Sequence, residues 1–299
     1  MTNETQTATR EDQSATALGD IRVEIDAIDD QMHQLLMRRA ELVEKVVETK
    51  RLPDGTLPKG AYRPAREAQI IRRLHDQNRS PLPFEMVFSF WRQMIGAFTA
   101  MQTPVTVSVQ AQASQGDRRD LLGLTREHFG ATAQLTARES FGQVANDIQN
   151  ESAKVGVASA QFEGEREGAW WTACMSREAS TPRVIAAFPF YGTDIAGYCV
   201  SRAPLEPSGN DETLIAIQLD TTTSRSGIAS TLTRAGVDAT PLHASGDNVL
   251  IRVTGYHAEP DAPLLRTIAD ALKMPVSNIA VVGAYATPIR PTDANEKRA

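Results

Sequence analysis

The feature that most restricts this 299-residue chain is a long apolar series that two cations interrupt. Ile21, Ile25, Ile28, Met32 and Leu35 follow at steps of four and three, and Leu42 and Val46 continue the series. That spacing puts them on one face of a helix over residues 21–50. Asp20 can cap its start, and Pro53 helps enforce its end. The series also passes through positions 39 and 50, which hold Arg39 and Lys50. Eleven residues make about three turns with roughly 20° left over, so both cations lie on the face that should be buried. A buried charge without a partner costs several kcal/mol. Either internal carboxylates or a bound anion must compensate. Glu24, Asp26, Asp29, Asp30, Glu41 and Glu44 are near in sequence, but most fall on other faces of the helix.

Two shorter helices are expected next, over residues 64–77 and 84–102. Pro64 suits the first helical position, where its missing N–H had no partner to lose. Arg66 and Glu67 follow in the first turn, where unpaired backbone N–H groups favour an anion. The third helix carries Val87, Phe88, Trp91, Met94, Ile95 and Phe98 on one side, and Gln102, eleven residues after Trp91, extends that stripe. Taken singly, each polar residue has an ordinary reading. Arg39 suits an interfacial ion pair with its stem packed. Lys50 complements a helix dipole, Arg66 and Glu67 suit a solvated helix start, and Gln102 suits a surface terminus. Together, three helices aim polar groups where apolar ones belong, and that points to a bound anion.

Composition sets the background for such a site. A net charge of −6 argues against a general binder of nucleic acid or anionic membrane, so the cations must be a local cluster. The length allows two or three domains. Two cysteines, Cys174 and Cys199, make neither a disulfide framework nor a metal site and read as reduced thiols of a cytoplasmic protein. No apolar run approaches the ~20 residues of a membrane span. Residues 1–17 are polar, lack the apolar core of a signal peptide and read as a disordered tail.

The stretch "IRVEIDAIDDQMHQLLMRRAELVEKVVETK", then "YRPAREAQIIRRL" and a helix ending "WRQMIGAFTAMQ", resembles the all-helical (type II) class of chorismate mutases over residues 18–103. The resemblance implies an all-α three-helix domain, intertwined with a second copy as a homodimer with shared active sites, that isomerises chorismate to prephenate. It assigns the family's pocket residues to Arg39, Lys50, Arg66, Glu67 and Gln102, and its arginine near the start of the long helix to Arg22. Arg22 lies about 100° off the Arg39 face, which suits a residue given to the partner's pocket. By this assignment Arg39 and Arg22 hold the two substrate carboxylates, Arg66 adds positive potential, Lys50 and Gln102 donate to the ether oxygen, and Glu67 meets the ring hydroxyl. No metal or cofactor is implied. Two positions depart from the family pattern: Arg63 stands where an aspartate is frequent, and Phe98 where a serine is frequent.

Beyond Pro104 the pattern changes to an α/β alternation over residues 104–205. Strands are expected in "VTVSVQ", "ATAQLTA", "KVGVAS" and "RVIAAFPF", with helices in "DRRDLLGLTREHF" and "ESFGQVANDIQNE". "RAPLEPSGND" has linker chemistry. Residues 206–299 then read β-α-β-β-α-β, an α+β ferredoxin-like split. This order resembles the mutase–prephenate dehydratase fusions, whose last domain is a regulatory ACT domain, and Gly227 is expected to turn its first strand into its first helix. The middle region is too short for the two lobes of a dehydratase and has no Thr-Arg-Phe, which implies a remnant without dehydratase activity. The ACT-like end implies either feedback by an aromatic amino acid or an assembly role. His243 and His257 lie there without metal spacing. The leading expectation is a multidomain isomerase. An isochorismate pyruvate lyase with the same pocket, and a non-catalytic sensor of aromatic-pathway ligands, are the other readings.

Overall fold

The computed structural model describes residues 2–54, 62–79, 81–111, 120–160, 169–178, 180–219, 225–258, 263–272 and 276–291, with backbone alone for 2–15, 225 and 226. The chain divides into two compact units between Pro58 and Lys59.

The first unit is built on one helix, α1 (Thr2–Lys50), of 49 residues. The sequence predicts a start at residue 21, capped by Asp20, after a disordered tail. Instead the helix runs on to Thr2. The reason is local: residues 2–20 hold no proline and a single glycine, Gly19, and are rich in Ala, Gln, Glu and Thr, so nothing stops the backbone ladder. The apolar series is solvent-facing, from 42% exposed at Val46 to 65% at Leu35.

The second unit begins with two helices, α2 (Pro64–Gln77) and α3 (Phe84–Gln102), at the expected bounds. This compact unit therefore groups α2 and α3 with the sheet that follows. Then come β1 (Thr106–Gln110), α4 (Leu121–Phe129), β2 (Gln134–Arg138), α5 (Phe141–Gln149) and β3 (Val155–Ser159). Asp120 caps α4 by accepting from the Gly123 N–H at 2.9 Å, and Ser140 caps α5 by accepting from the Gln143 N–H at 3.3 Å. A short 3-10 turn (Trp170–Cys174) precedes β4 (Arg183–Phe188) and β5 (Gly197–Ser201). The remaining elements are β6 (Asp211–Leu219), α6 (Arg225–Arg234), β7 (Ala239–Ser245), β8 (Asn248–Thr254), α7 (Pro263–Leu272) and β9 (Val276–Ala286).

Among the described residues, nine strands form one mixed sheet in the order β2-β1-β3-β5-β4-β9-β6-β8-β7. β1 pairs in parallel with β2 and β3, because α4 and α5 carry the chain back after each strand. The last four strands are joined by antiparallel pairings: β6 with both β8 and β9, and β7 with β8. β4 adjoins β9 in parallel at Val184 and Gly283, so the sheet passes unbroken across the linker expected near residue 205. That linker is pinned by α2: Arg72 donates to the Ser208 hydroxyl at 2.9 Å, the Asn210 carbonyl at 2.6 Å and the Thr287 carbonyl at 3.0 Å.

Strand alternation sorts the core. On β6, Leu214 and Ala216 face one layer with Trp171, Leu250 and Val282. Ile215 and Ile217 face the other, where Ile228 and Leu232 of α6 and Leu265, Ile268 and Leu272 of α7 cover them. Each such buried aliphatic chain contributes ~1.5–3 kcal/mol. α2 and α3 pack through Ala68, Ile71, Phe84 and Ile95 onto Phe190, Ala286 and Ile289. Gly96 lets α3 close on α4, since a Cβ there would collide with the Phe129 carbonyl oxygen. One strand was not expected, and one expectation needs correction. β5, "GYCVS", is wholly buried and shows no alternation, so periodicity gives no sign of it. Gly227 sits inside α6, which starts at Arg225, and is not its entry turn.

Candidate active site

On α1, Arg22 is exposed, Arg39 is half-buried and Lys50 is exposed at the last helical position. Partial burial lowers the pKa of the Arg39 guanidinium from its ordinary value, yet an arginine so far above neutrality stays charged. Arg39 and Lys50 share the side of α1 that carries Leu35, Leu42 and Val46, since every residue between them is helical. This face combines two cations with an exposed apolar stripe.

The second unit holds Arg66, Glu67 and Gln102. Pro64 starts α2, so Glu67 falls in its first turn, where its N–H is bonded to the Arg63 carbonyl at 3.1 Å. Arg66 is exposed and donates to Gln69 at 3.3 Å. Glu67 points the other way and is buried. Its Oε2 accepts from the Arg92 Nη1 of α3 at 2.6 Å. Arg92 in turn grips the C-terminal end of α4: Nε donates to the His128 carbonyl at 2.8 Å, and Nη2 reaches the same oxygen. Glu67, set against it, holds the Arg92 guanidinium above its ordinary pKa despite burial.

Tyr62 and His128 complete this cluster. The Tyr62 hydroxyl is 2.9 Å from His128 Nε2 and 3.9 Å from the Cys199 sulfur. Burial, reinforced by the Arg92 charge, pushes the His128 imidazole well below its ordinary pKa. The ring is therefore neutral, and its Nε2 shares a hydrogen bond with the Tyr62 hydroxyl, which burial keeps protonated. The Cys199 thiol is pushed up to about 12 by burial and is inert as a nucleophile at neutral pH. The cavity beside these groups is about 20 Å³, room for a water but not for an organic dianion.

Gln102 closes α3, with its Nε2 donating to the Phe98 carbonyl at 3.3 Å. It lies ten residues past Arg92, about 15 Å along the helix axis, so this unit does not gather Glu67 and Gln102 into one cavity. Arg63, the first departure from the family pattern, is bound to Glu206 at 3.0 Å. Sequence reasoning missed Arg92, Tyr62 and His128. Arg92 was detectable: it stands four residues after Phe88 and three before Ile95, a cation at an apolar step, like Arg39 on α1.

Comparison with known proteins bears on these residues. Residues 21–103 match the family model of chorismate mutase type II. The bifunctional chorismate mutase/prephenate dehydratase of Pseudomonas aeruginosa is 26% identical over 151 residues, 50% of this chain and 40% of that protein. The protein of the same description from Neisseria gonorrhoeae is 30% identical over 135 residues, 45% of this chain and 34% of that one. The chain thus matches well under half the length of these relatives. Among solved structures, prephenate dehydratase from Streptococcus mutans aligns with 62% of this chain and 99% of its own, at 14% identity and a TM-score of 0.40.

Proposed function

We propose that this chain, whose residues 21–103 match chorismate mutase type II, isomerises chorismate to prephenate at active sites shared between two copies. The observation that carries the reading is the α1 face. Cations at positions 39 and 50 interrupt an apolar stripe whose members are 42–65% exposed. A contiguous exposed stripe of this kind asks for cover, and a second α1 would bring the same stripe and a second set of cations to it. Arg39 and Arg22 of the other copy would then clamp the two carboxylates, arginine being the side chain that matches carboxylate geometry.

The rearrangement is unimolecular, so the protein's task is to hold the compact reactive shape and to meet charge where it develops. As the C–O bond breaks, negative charge grows on the ether oxygen. Lys50 and Gln102 are the donors assigned to it, an arrangement worth ~3–4 kcal/mol per donor. Arg66 adds positive potential at the start of α2. Glu67 is the group assigned to the ring hydroxyl; reaching it requires the second unit to open there, because Arg92 holds its Oε2 and the cavity beside it admits only a water.

The sheet-bearing part is read as a dehydratase remnant without dehydratase activity, in keeping with the absence of Thr-Arg-Phe from the sequence. The order β9-β6-β8-β7 supports a ferredoxin-like, ACT-type assignment for residues 206–299, with an aromatic amino acid as effector. Two buried free thiols, Cys174 and Cys199, favour a cytoplasmic setting.

A complementation assay tests activity and site sharing together. Arg22→Ala and Lys50→Ala chains are each expected to be inactive. Mixed in equal amounts and allowed to exchange, they should regain about a quarter of wild-type turnover, because half the dimers are mixed and one of their two sites is intact. A mixture as inactive as its parts contradicts the shared site.

A further inference from the structure

Glu67, the residue assigned to the ring hydroxyl, faces the interior of the second unit. It is 8% exposed, its Oε2 accepts from Arg92 Nη1 at 2.6 Å, and the cavity beside the pair is about 20 Å³. Organic ligands need a site of ~300 Å³ or more. Arg92 is not free to swing aside. Its Nε and Nη2 both hold the His128 carbonyl at the end of α4, and Gly96 lets α3 lie directly on that end. The movable partner is α2.

The docking of α2 is unusual in what holds it. Its buried apolar residues are two alanines, Ala65 and Ala68, and Ile71. Methyl groups bury little area, so packing alone grips this 14-residue helix weakly. Two arginine latches supply the rest. At the start of α2, Arg63 binds Glu206, with Nη2 3.0 Å from Oε1 and Nε 3.2 Å from both carboxylate oxygens. About two and a half turns on, Arg72 donates to the Ser208 hydroxyl and to the Asn210 and Thr287 carbonyls. Its guanidinium also lies over the Phe190 ring, 5.4 Å from the centroid. Glu206, Ser208 and Asn210 belong to one short segment before β6, so that segment straps α2 at both ends. The Glu67–Arg92 pair is the third fastener. A buried ion pair adds little net stability over apolar packing of the same volume, and it fixes one arrangement instead.

We propose that docked α2 is a closed state of the mutase, latched by Arg63 and Arg72, and that chorismate binds the minor population in which α2 has lifted and Glu67 is free. The inference rests on the mutase reading above and adds the regulation of that same site. When only a fraction of the chains is competent, the apparent dissociation constant is the intrinsic one divided by that fraction, and saturating substrate draws every chain open. Loosening a latch therefore lowers KM and leaves the turnover number unchanged. Loss of a residue that merely supports the site does the opposite, raising KM or lowering turnover.

Arg72→Ala in the full chain tests it. KM for chorismate should fall about tenfold at constant turnover number, although the variant melts at a lower temperature. Arg63→Ala, which removes an exposed ion pair, should lower KM about twofold, and it decides alone if Arg72→Ala does not fold. The Cys199 thiol gives a readout independent of turnover. It is buried, 3.9 Å from the hydroxyl of Tyr62, which stands two residues before α2. Labelling of Cys199 by a disulfide reagent, located by peptide mass spectrometry, should quicken in Arg72→Ala and when chorismate is added to the wild type. Cys174, in the other layer of the core, is the control and should not respond. Chorismate turnover with KM unchanged or raised in both variants overturns the closed state and leaves the mutase reading standing, as does Cys199 labelling that chorismate does not quicken. Wild type and variants all inert toward chorismate would overturn the mutase reading, and the closed state with it.

Discussion

The helical segments differ in how far the apolar stripe around their interrupting charges is covered. On α1 the apolar members are exposed around Arg39 and Lys50. On α3 the stripe is buried at Phe84 and Ile95, and its interrupting cation, Arg92, is answered inside the same unit by Glu67 and the end of α4. The contrast separates two uses of one sequence signature. A cation on an apolar step can be consumed by the fold, as Arg92 is, or stand on a face that a partner and a ligand complete, which is the role proposed for Arg39 and Lys50.

The largest expected effect tests the completion of α1. Leu35→Asp places a carboxylate in the middle of the stripe, where burying it unpaired costs several kcal/mol. Sedimentation should show the proposed dimer replaced by monomer, with mutase turnover lost and the thermal melt of the second unit unmoved. Retention of the dimer would break the comparison.

Arg92→Ala tests the other side. It strands a buried Glu67, and the unfolding free energy from urea titration should fall by ~3–5 kcal/mol. A loss within ~1 kcal/mol would mean that Glu67 is not held as the structure has it.

Lys50→Ala should leave unfolding unchanged and lower the turnover number about a thousandfold, with a smaller change in KM, since the donor acts on charge that appears only in the transition state. An equal rise in KM at constant turnover would reduce Lys50 to simple binding.

The smallest effect is a pH dependence in the Arg92 cluster. The folded pKa of His128 is depressed by burial and by Arg92. Below the unfolded value near ~6.5, the unfolded chain takes up a proton that the native ring refuses. Stability is therefore fully present above ~6.5 and declines as pH falls toward the folded value, by up to about 1.4 kcal/mol per pH unit. His128→Gln should flatten that slope in urea titrations between about pH 7.5 and 5.5.

Much of this molecule was readable from residue spacing. The bounds of α2 and α3 were, because Pro64, the break after Gln77 and the stripe of α3 are local signals. β6 stood out as the apolar run "LIAI", without alternation, and the amphipathic spacing of Leu265, Ile268 and Leu272 in α7 was equally plain. The start of α1 was not, because a polar run without breakers gives a helix no signal to stop. β5 escaped because a strand buried on both faces has no period-two pattern, and its pairing with β3 and β4 is visible only in three dimensions. At the candidate site, Arg39, Lys50 and Gln102 could be found from residue type and spacing. That Glu67 is held by Arg92, and Arg92 by the His128 carbonyl, depends on contacts 25 and 36 residues apart in sequence, which no local pattern encodes. The ion pair of Glu212 and Arg252 is likewise a product of sheet register, which joins β6 to β8 from 40 residues away in the chain.

The most direct test of the central claim is the product formed from chorismate. Incubated with the purified chain and followed by proton NMR, chorismate should convert to prephenate alone, with no phenylpyruvate and no pyruvate. Chorismate consumed no faster than in buffer, or pyruvate released from isochorismate in its place, would contradict the account.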